Sequence, residues 1–392
     1  MDPRDLLSAS IDGRRDALVA LSHGIHGDAE IGFEEYRSSA RVAEALAAGG
    51  FDVTHGVAGL DTAIVARAGS GPLRIGICAE YDALPGIGHA CGHNIIAGAA
   101  VGAGLALAEV ADDLGIEVVV LGTPAEEGGG GKIVMLEGGA FDGLNAAMMV
   151  HPAPVETPQM TCLAVQHFEV RYRGRSAHAS AYPQLGINAA DALTVAQVGI
   201  GLLRQHIRAT DRIHGIVTDG GDAPNIVPER TAGTWYVRSS TLTELAELYP
   251  RVQRCFEAGA LATGATLSFD EPGPAYSEFL TDEALRDAYV VEAEAIGRVF
   301  PAPGEETTLA GSTDMANVSL AMPAIHPMIA IEARGAVNHQ PEFTAACITA
   351  SADRAVRDGA LAMARTVIAA ATAGPLRERL LSRAYEARST AT

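Results

Sequence analysis

The sequence predicts an α/β fold interrupted by a second, smaller α+β domain. Three observations carry this. Short apolar strands such as Ile116 to Leu121 alternate with helical stretches, as in a sheet covered on both faces. Near Gln166 the pattern changes to the one-side-exposed alternation of His167-Phe168-Glu169-Val170-Arg171-Tyr172-Arg173. From there the order strand, helix, strand, strand, helix, strand describes a split, ferredoxin-like unit. A length of 392 residues suits two domains.

In chain order, Asp5 to Leu21 and Glu34 to Ala48 have helical apolar spacing, and Asp61 to Ala68 and Leu73 to Ala79 read as strands around a turn at Gly69 to Pro72. Asn94 to Val110 reads as a buried helix with Asn94 at its N-cap. Ile116 to Leu121 and Ala146 to Val150 are buried strands, and Lys132 to Glu137 is a short helix ending at Gly138-Gly139. The second domain is expected over 166–272, inserted between a first part, 1–165, and a second part, 273–392, of the larger domain. Its elements are the strand at His167, a helix Asn188 to Gln205, strands Ile213 to Thr218 and Ala232 to Val237, a helix Thr243 to Thr263 and a strand Ala265 to Phe269. Pro272-Gly273-Pro274 is the hinge back, and Pro327 to Glu332 resumes the first domain as a strand.

Lys and Arg total 28 against 48 Asp and Glu, a net charge of −20. Such a chain repels nucleic acid and anionic membranes, so neither is an expected partner. Five widely spaced cysteines, Cys78, Cys91, Cys162, Cys255 and Cys347, argue against a disulfide framework and for a reducing compartment, the cytoplasm. The start, Met1-Asp2-Pro3-Arg4-Asp5, lacks an apolar signal core.

The chemistry is concentrated at three strand ends. Ala79-Glu80-Tyr81-Asp82-Ala83-Leu84-Pro85 leads into His89-Ala90-Cys91-Gly92-His93; Thr123-Pro124-Ala125-Glu126-Glu127-Gly128 follows the next strand; His151 ends the strand after that. Thiol, imidazole and carboxylate are the side chains that bind borderline-soft cations such as zinc, and sites in open α/β sheets form outside the strands' carboxyl ends. Hydrolysis at a metal needs one carboxylate on the ion and another to take a proton from water, roles that adjacent Glu126 and Glu127 can divide. Asp82 could cap the backbone or orient a metal-binding His. A buried Cys and a bridging His are the bland reading of the Cys91 loop, and a solvated turn that of Glu126-Glu127. His178, in Gly174-Arg175-Ser176-Ala177-His178, and Asn225, in Ala223-Pro224-Asn225-Ile226-Val227-Pro228, read in isolation as turn residues. Gly311-Ser312-Thr313-Asp314 reads as a polar loop able to hold a substrate carboxylate on backbone amides, and His339 as a late-arriving ligand.

Taken together, Glu80 to Pro85, His89 to Asn94, Pro124 to Gly128, Ser176-Ala177-His178-Ala179 and His339-Gln340-Pro341-Glu342-Phe343 resemble, in order, the motifs of the aminoacylase and carboxypeptidase-G type metallopeptidases, peptidase family M20. The similarity runs toward the amidohydrolase branch that includes auxin-conjugate hydrolases and p-aminobenzoyl-glutamate hydrolase. Asn94 and Tyr81, where the branch commonly has Asp and Met, point to the latter side. The resemblance implies a mixed-sheet, zinc-peptidase-like catalytic domain with an inserted ferredoxin-like dimerisation domain, and hence a homodimer. It implies two divalent ions, zinc or manganese, held by Cys91, His93, Glu127, His151 and His339. It further implies Glu126 as general base, Asp82 as support to a ligand, His178 and Asn225 as lid residues contacting substrate at the neighbouring subunit's site, and Arg238 as a substrate-carboxylate contact. The expected function is hydrolysis of a small-molecule amide: an N-acyl or N-aminoacyl amino acid, a dipeptide or a p-aminobenzoyl-glutamate-like compound. Two alternatives stand beside it: a cysteine amidohydrolase with Cys91 as nucleophile and His93 or His89 as base, and a non-catalytic metal-dependent binding homologue.

Overall fold

The computed structural model describes residues 2–302 and 310–383. The chain divides into two compact units: one runs to Thr161 and resumes at Phe279, and the other is Cys162–Glu278, longer at both ends than 166–272.

The first unit is built on a six-stranded mixed sheet in the spatial order Asp52–His55, Ile64–Gly69, Ile116–Thr123, Leu73–Glu80, Ala146–Met148, Ala324–Ile325. The first three strands pair antiparallel and the last four parallel. The parallel strands are apolar on both faces because both are covered: Ile75, Ile77, Val118, Val119, Val120 and Leu121 are all fully buried.

Helix His93–Ala108 is buried along its length. Its small residues allow this. A Cβ added at Gly104 would lie 2.5 Å from Val120 of the sheet, and one at Gly102 would lie 2.8 Å from Leu18 and 3.0 Å from Ala360. The helix is thus wedged between the sheet and helices Arg15–Asp28 and Ala350–Thr372. Asn94 is not its N-cap. Gly92, left-handed at φ 80°, holds that position, and the buried Asn94 amide donates to Ser22 Oγ at 2.8 Å and to the Cys347 carbonyl at 3.0 Å. The N-terminal apolar stretch is two helices rather than one, Pro3–Gly13 and Arg15–Asp28, broken at Arg14.

The second unit is a four-stranded antiparallel sheet in the order Thr266–Asp270, Ala164–Arg173, Arg230–Ser239, Arg212–Asp219. Its helices are Ala189–Leu203, capped by the Asn188 side chain, and Leu242–Thr263, capped by Thr241. With strand order 4-1-3-2 this is the ferredoxin-like arrangement. Its core gathers the alternate residues Phe168, Val170 and Tyr172 with Trp235, Val237 and Phe256.

Candidate metal centre

Adjacent parallel strands converge their carboxyl ends on one cluster. Leu73–Glu80 runs into Tyr81 and Asp82; Tyr81 is buried and its hydroxyl donates to the Thr62 carbonyl. The loop that follows carries Cys91 and opens the buried helix at His93. Only glycine fits at 92, since a Cβ there would come within 2.5 Å of Pro152. Ile116–Thr123 runs into a turn at Ala125, whose φ of 55° is unusual for a residue with a Cβ. Glu35, fully buried, anchors that turn: its Oε1 accepts from Ala125 N at 2.8 Å and its Oε2 from Thr62 Oγ1 at 2.8 Å. Burial, then the nearby Asp82 charge, pushes the Glu35 carboxyl up to about 7.

Asp82 organises the centre with both oxygens. Oδ1 accepts from His93 Nδ1 at 2.9 Å, and Oδ2 accepts from Glu127 N at 3.0 Å. The first bond leaves the lone pair of His93 on Nε2, which lies 3.3 Å from Glu80 Oε2, 3.8 Å from Glu126 Oε2 and 3.9 Å from Glu127 Oε1. His151 is held the same way. Its Nδ1 donates to the Pro152 carbonyl at 2.8 Å, leaving Nε2 facing Cys91 Sγ at 3.3 Å. His339, at φ 70°, reaches Glu127 Oε2 at 3.5 Å.

Three sets of donor atoms lie within 4.8 Å of one another: Cys91, His93 and His151; Cys91, Glu127 and His339; and Glu80, His93 and Glu126. Among the described residues, buried His93 Nε2, Glu80 Oε2 and Glu127 Oε1 make no hydrogen bond. The local charge is unbalanced too. Glu80, Asp82, Glu126 and Asp314 are buried together with Glu127 beside them, facing the Lys132 ammonium. Burial, followed by the neighbouring carboxylates, raises the Glu126 carboxyl well above its usual range, and burial raises Glu127. Burial alone would lower the His93 imidazole; Asp82 and Glu80 outweigh it and push it well up. Orphaned lone pairs, a shared thiol and excess buried negative charge are what a divalent cation site requires, so these residues fit a metal.

Of the remaining expected site residues, His178 and Asn225 lie side by side within the second unit, where Ala179 N donates to the Asn225 carbonyl at 2.9 Å. His178 is exposed, and its Nδ1 accepts from Ser180 N and Ala181 N at 3.3 and 3.2 Å, which places the ring proton on an outward Nε2. Arg238 sits near the opposite end of strand Arg230–Ser239, half-buried over the Tyr236 ring with its Nε 3.3 Å from His214. Gly311 and Ser312 lie on the segment entering helix Met315–Ala321, at whose start Asp314 turns inward.

Sequence reasoning missed how Asp314 is used. Lys132, wholly buried, brings its Nζ within 2.6 Å of both Glu80 Oε1 and Asp314 Oδ1, and its own N–H donates to Asp314 Oδ2 at 2.8 Å. His326 was also missed; it is buried beside His151, ring centroids 5.5 Å apart, and no motif marked it.

Residues 76–367 match the family description Peptidase family M20/M25/M40. The chain is 37% identical to the Xaa-Arg dipeptidase of Mus musculus over 377 residues, covering 91% of this chain and 86% of that protein. It is 33% identical to a p-aminobenzoyl-glutamate hydrolase chain of Escherichia coli (strain K12) over 302 residues, covering 71% and 62% respectively. The fold is shared with the aminobenzoyl-glutamate utilization protein of Klebsiella pneumoniae, at TM-score 0.72 and 19% identity over 92% of this chain and 98% of that one. It is shared also with the YXEP protein of Bacillus subtilis, a dinuclear metal binding peptidase, at TM-score 0.66 and 19% identity over 91% and 98%. The fold and the donor cluster thus define a hydrolase of the metal-dependent amidohydrolase and peptidase class. The chain belongs to peptidase family M20.

Proposed function

We propose that this chain is a dinuclear metal-dependent amidohydrolase that releases an amino acid from an N-acyl or N-aminoacyl amino acid. Dipeptides ending in arginine and p-aminobenzoyl-glutamate are the first substrates to try, given the relatives' names. The observation that carries the proposal is Cys91 as common member of two donor sets, His93 with His151 and Glu127 with His339. Those five residues would hold two ions, and the thiol and imidazoles favour zinc over manganese. When bound, the ions would polarise the amide carbonyl and acidify a water.

The chain's own groups complete the chemistry. Glu126, which belongs to neither of those two sets and meets Glu80 and His93 in the third, takes a proton from the water and returns it to the leaving nitrogen; a carboxyl raised by burial is suited to holding that proton. Asp82 fixes His93 in the tautomer that leaves Nε2 open and ties down the Glu127 backbone. His178, with Nδ1 engaged and Nε2 carrying the proton, would be the donor to the developing oxyanion at the neighbouring subunit's centre. A cysteine mechanism is disfavoured: burial and Glu127 push the Cys91 thiol well up, opposite to the activation a nucleophile needs. His89 does not serve as base either, since burial pushes its imidazole down to about 3 and leaves it a poor proton acceptor.

The edge strand Arg212–Asp219 exposes Ile216 (66%), and helix Ala189–Leu203 exposes Leu202 (69%), which supports a homodimer through the second unit. None of the five cysteines is held in a disulfide, which suits the cytoplasm.

The test is release of free amine from a panel of N-acyl amino acids, dipeptides and p-aminobenzoyl-glutamate, before and after chelation, with metal content measured alongside. Glu126→Gln should keep its metal while kcat falls roughly 10²–10⁴-fold. Glu127→Gln should lose metal first and regain part of its rate in excess zinc. Metal loss from Glu126→Gln with activity restored on reloading would reverse the two roles.

A further inference from the structure

Four neighbouring strands run parallel: Ile116–Thr123, Leu73–Glu80, Ala146–Met148 and Ala324–Ile325. The first three run into Glu126 and Glu127, into Asp82, and into His151. The fourth runs directly into His326, so His326 leaves the sheet on the same side as the donor cluster. It is 1% exposed, lies against the His151 ring, and has the Phe279 ring 5.9 Å away on another side. Among the described residues neither of its ring nitrogens has a hydrogen-bond partner.

Native proteins rarely leave such groups unpaired, because a polar atom buried without a partner gives up its hydrogen bonds to water and regains none. If this position only filled space, Phe would serve it better. His326 belongs to none of the three donor sets, so a role as metal ligand is not offered. Burial does not separate it from the centre, where His93 is 0% and Glu126 7% exposed.

We propose that His326 is a substrate-binding residue whose imidazole N–H donates to a carbonyl or carboxylate oxygen of the bound N-acyl amino acid. This rests on the assignment of the cluster as an amidohydrolase centre. The experiment compares zinc-loaded wild type, His326→Phe and His326→Gln on the best substrate of the panel, measuring KM, kcat, metal content and melting temperature. In His326→Phe, metal content should be unchanged and kcat within about threefold of wild type, while KM rises roughly tenfold, the equivalent of one lost hydrogen bond. His326→Gln keeps a donor and should fall between the two.

A wild-type KM in His326→Phe, with equal or higher melting temperature, would overturn the proposal, because the unpaired nitrogens would then have only a structural cost. Loss of metal would overturn it in favour of an effect through His151. If the Phe variant does not fold, the Gln variant decides: a raised KM with full metal supports the contact, and a wild-type KM refutes it. An active wild type with insensitive variants removes this inference alone. An inactive wild type removes the amidohydrolase assignment and this inference with it.

Discussion

Replacing Lys132 with Met tests whether the buried charges are as the structure draws them. The ammonium is wholly buried, 2.6 Å from Glu80 Oε1 and 2.6 Å from Asp314 Oδ1. Burial opposes the charged lysine, but Asp314, Glu80 and Glu126 outweigh it and hold the proton on. Met fills comparable space, so the loss is electrostatic rather than a cavity. Removing one partner of a buried ion pair costs about 3–5 kcal/mol, because the other charge is left stranded. Asp314 already sits up at about 6, raised mainly by burial, so it can escape part of the cost by taking a proton, which favours the lower figure. At roughly 2–4 °C per kcal/mol, a loss of about 3 kcal/mol lowers the melting temperature by about 6–12 °C. The sign with pH is fixed. The Asp314 carboxyl has a folded pKa above its unfolded one, so the folded state is penalised as pH rises through that window and relieved as pH falls. The deficit measured by thermal and urea unfolding at pH 7 should therefore shrink at pH 5. Adding Asp314→Asn should recover part of it. A deficit below about 1 kcal/mol at pH 7, or one that grows in acid, would refute an ionised triad.

Two further outcomes follow from single residues. Glu35, raised from 4.5 to about 7, keeps in the folded state a proton that the unfolded chain releases, so it makes stability fall as pH rises between those values; Glu35→Gln should flatten that part of the urea-midpoint profile, and an unchanged slope counts against the assignment. Ile216→Lys should turn a dimer into a monomer by light scattering while leaving the melting temperature within a few degrees; an unchanged dimer would place the interface elsewhere.

What was legible in the sequence is what a short window records. Apolar strands ending in Asp82, Cys91, Glu126, Glu127 or His151 announce themselves, because strand periodicity and donor type sit within ten residues of each other. The second unit was equally plain, since alternation along His167 to Arg173 is a local signal. Lys132 was not. It reads only as the first residue of a short helix, and the arrival of Glu80 from a neighbouring strand end and of Asp314, 182 residues later, explains why a lysine can be buried there. His326 carries no motif, since its meaning lies in which strand it follows. Asn94 failed for a different reason. Asn is a favoured cap, but the left-handed Gly92 took that position, and the amide was required by Ser22 and Cys347 from distant helices.

The adjacency of Glu126 and Glu127 is where the local and the distant meet. Consecutive side chains on an extended strand point to opposite faces, so a regular continuation of Ile116–Thr123 would send one carboxylate away from the cluster. Both instead stand under 4 Å from the single atom His93 Nε2. The left-handed turn at Ala125 breaks the alternation just before them, and Glu35 holds that turn by its backbone amide. Asp82 then fixes the far side, accepting from Glu127 N with one oxygen while orienting His93 with the other. A carboxylate standing just before helix Tyr36–Ala48 and one from the neighbouring strand end thus keep a strained turn in place, and the strain is what lets two successive residues serve one centre in different roles.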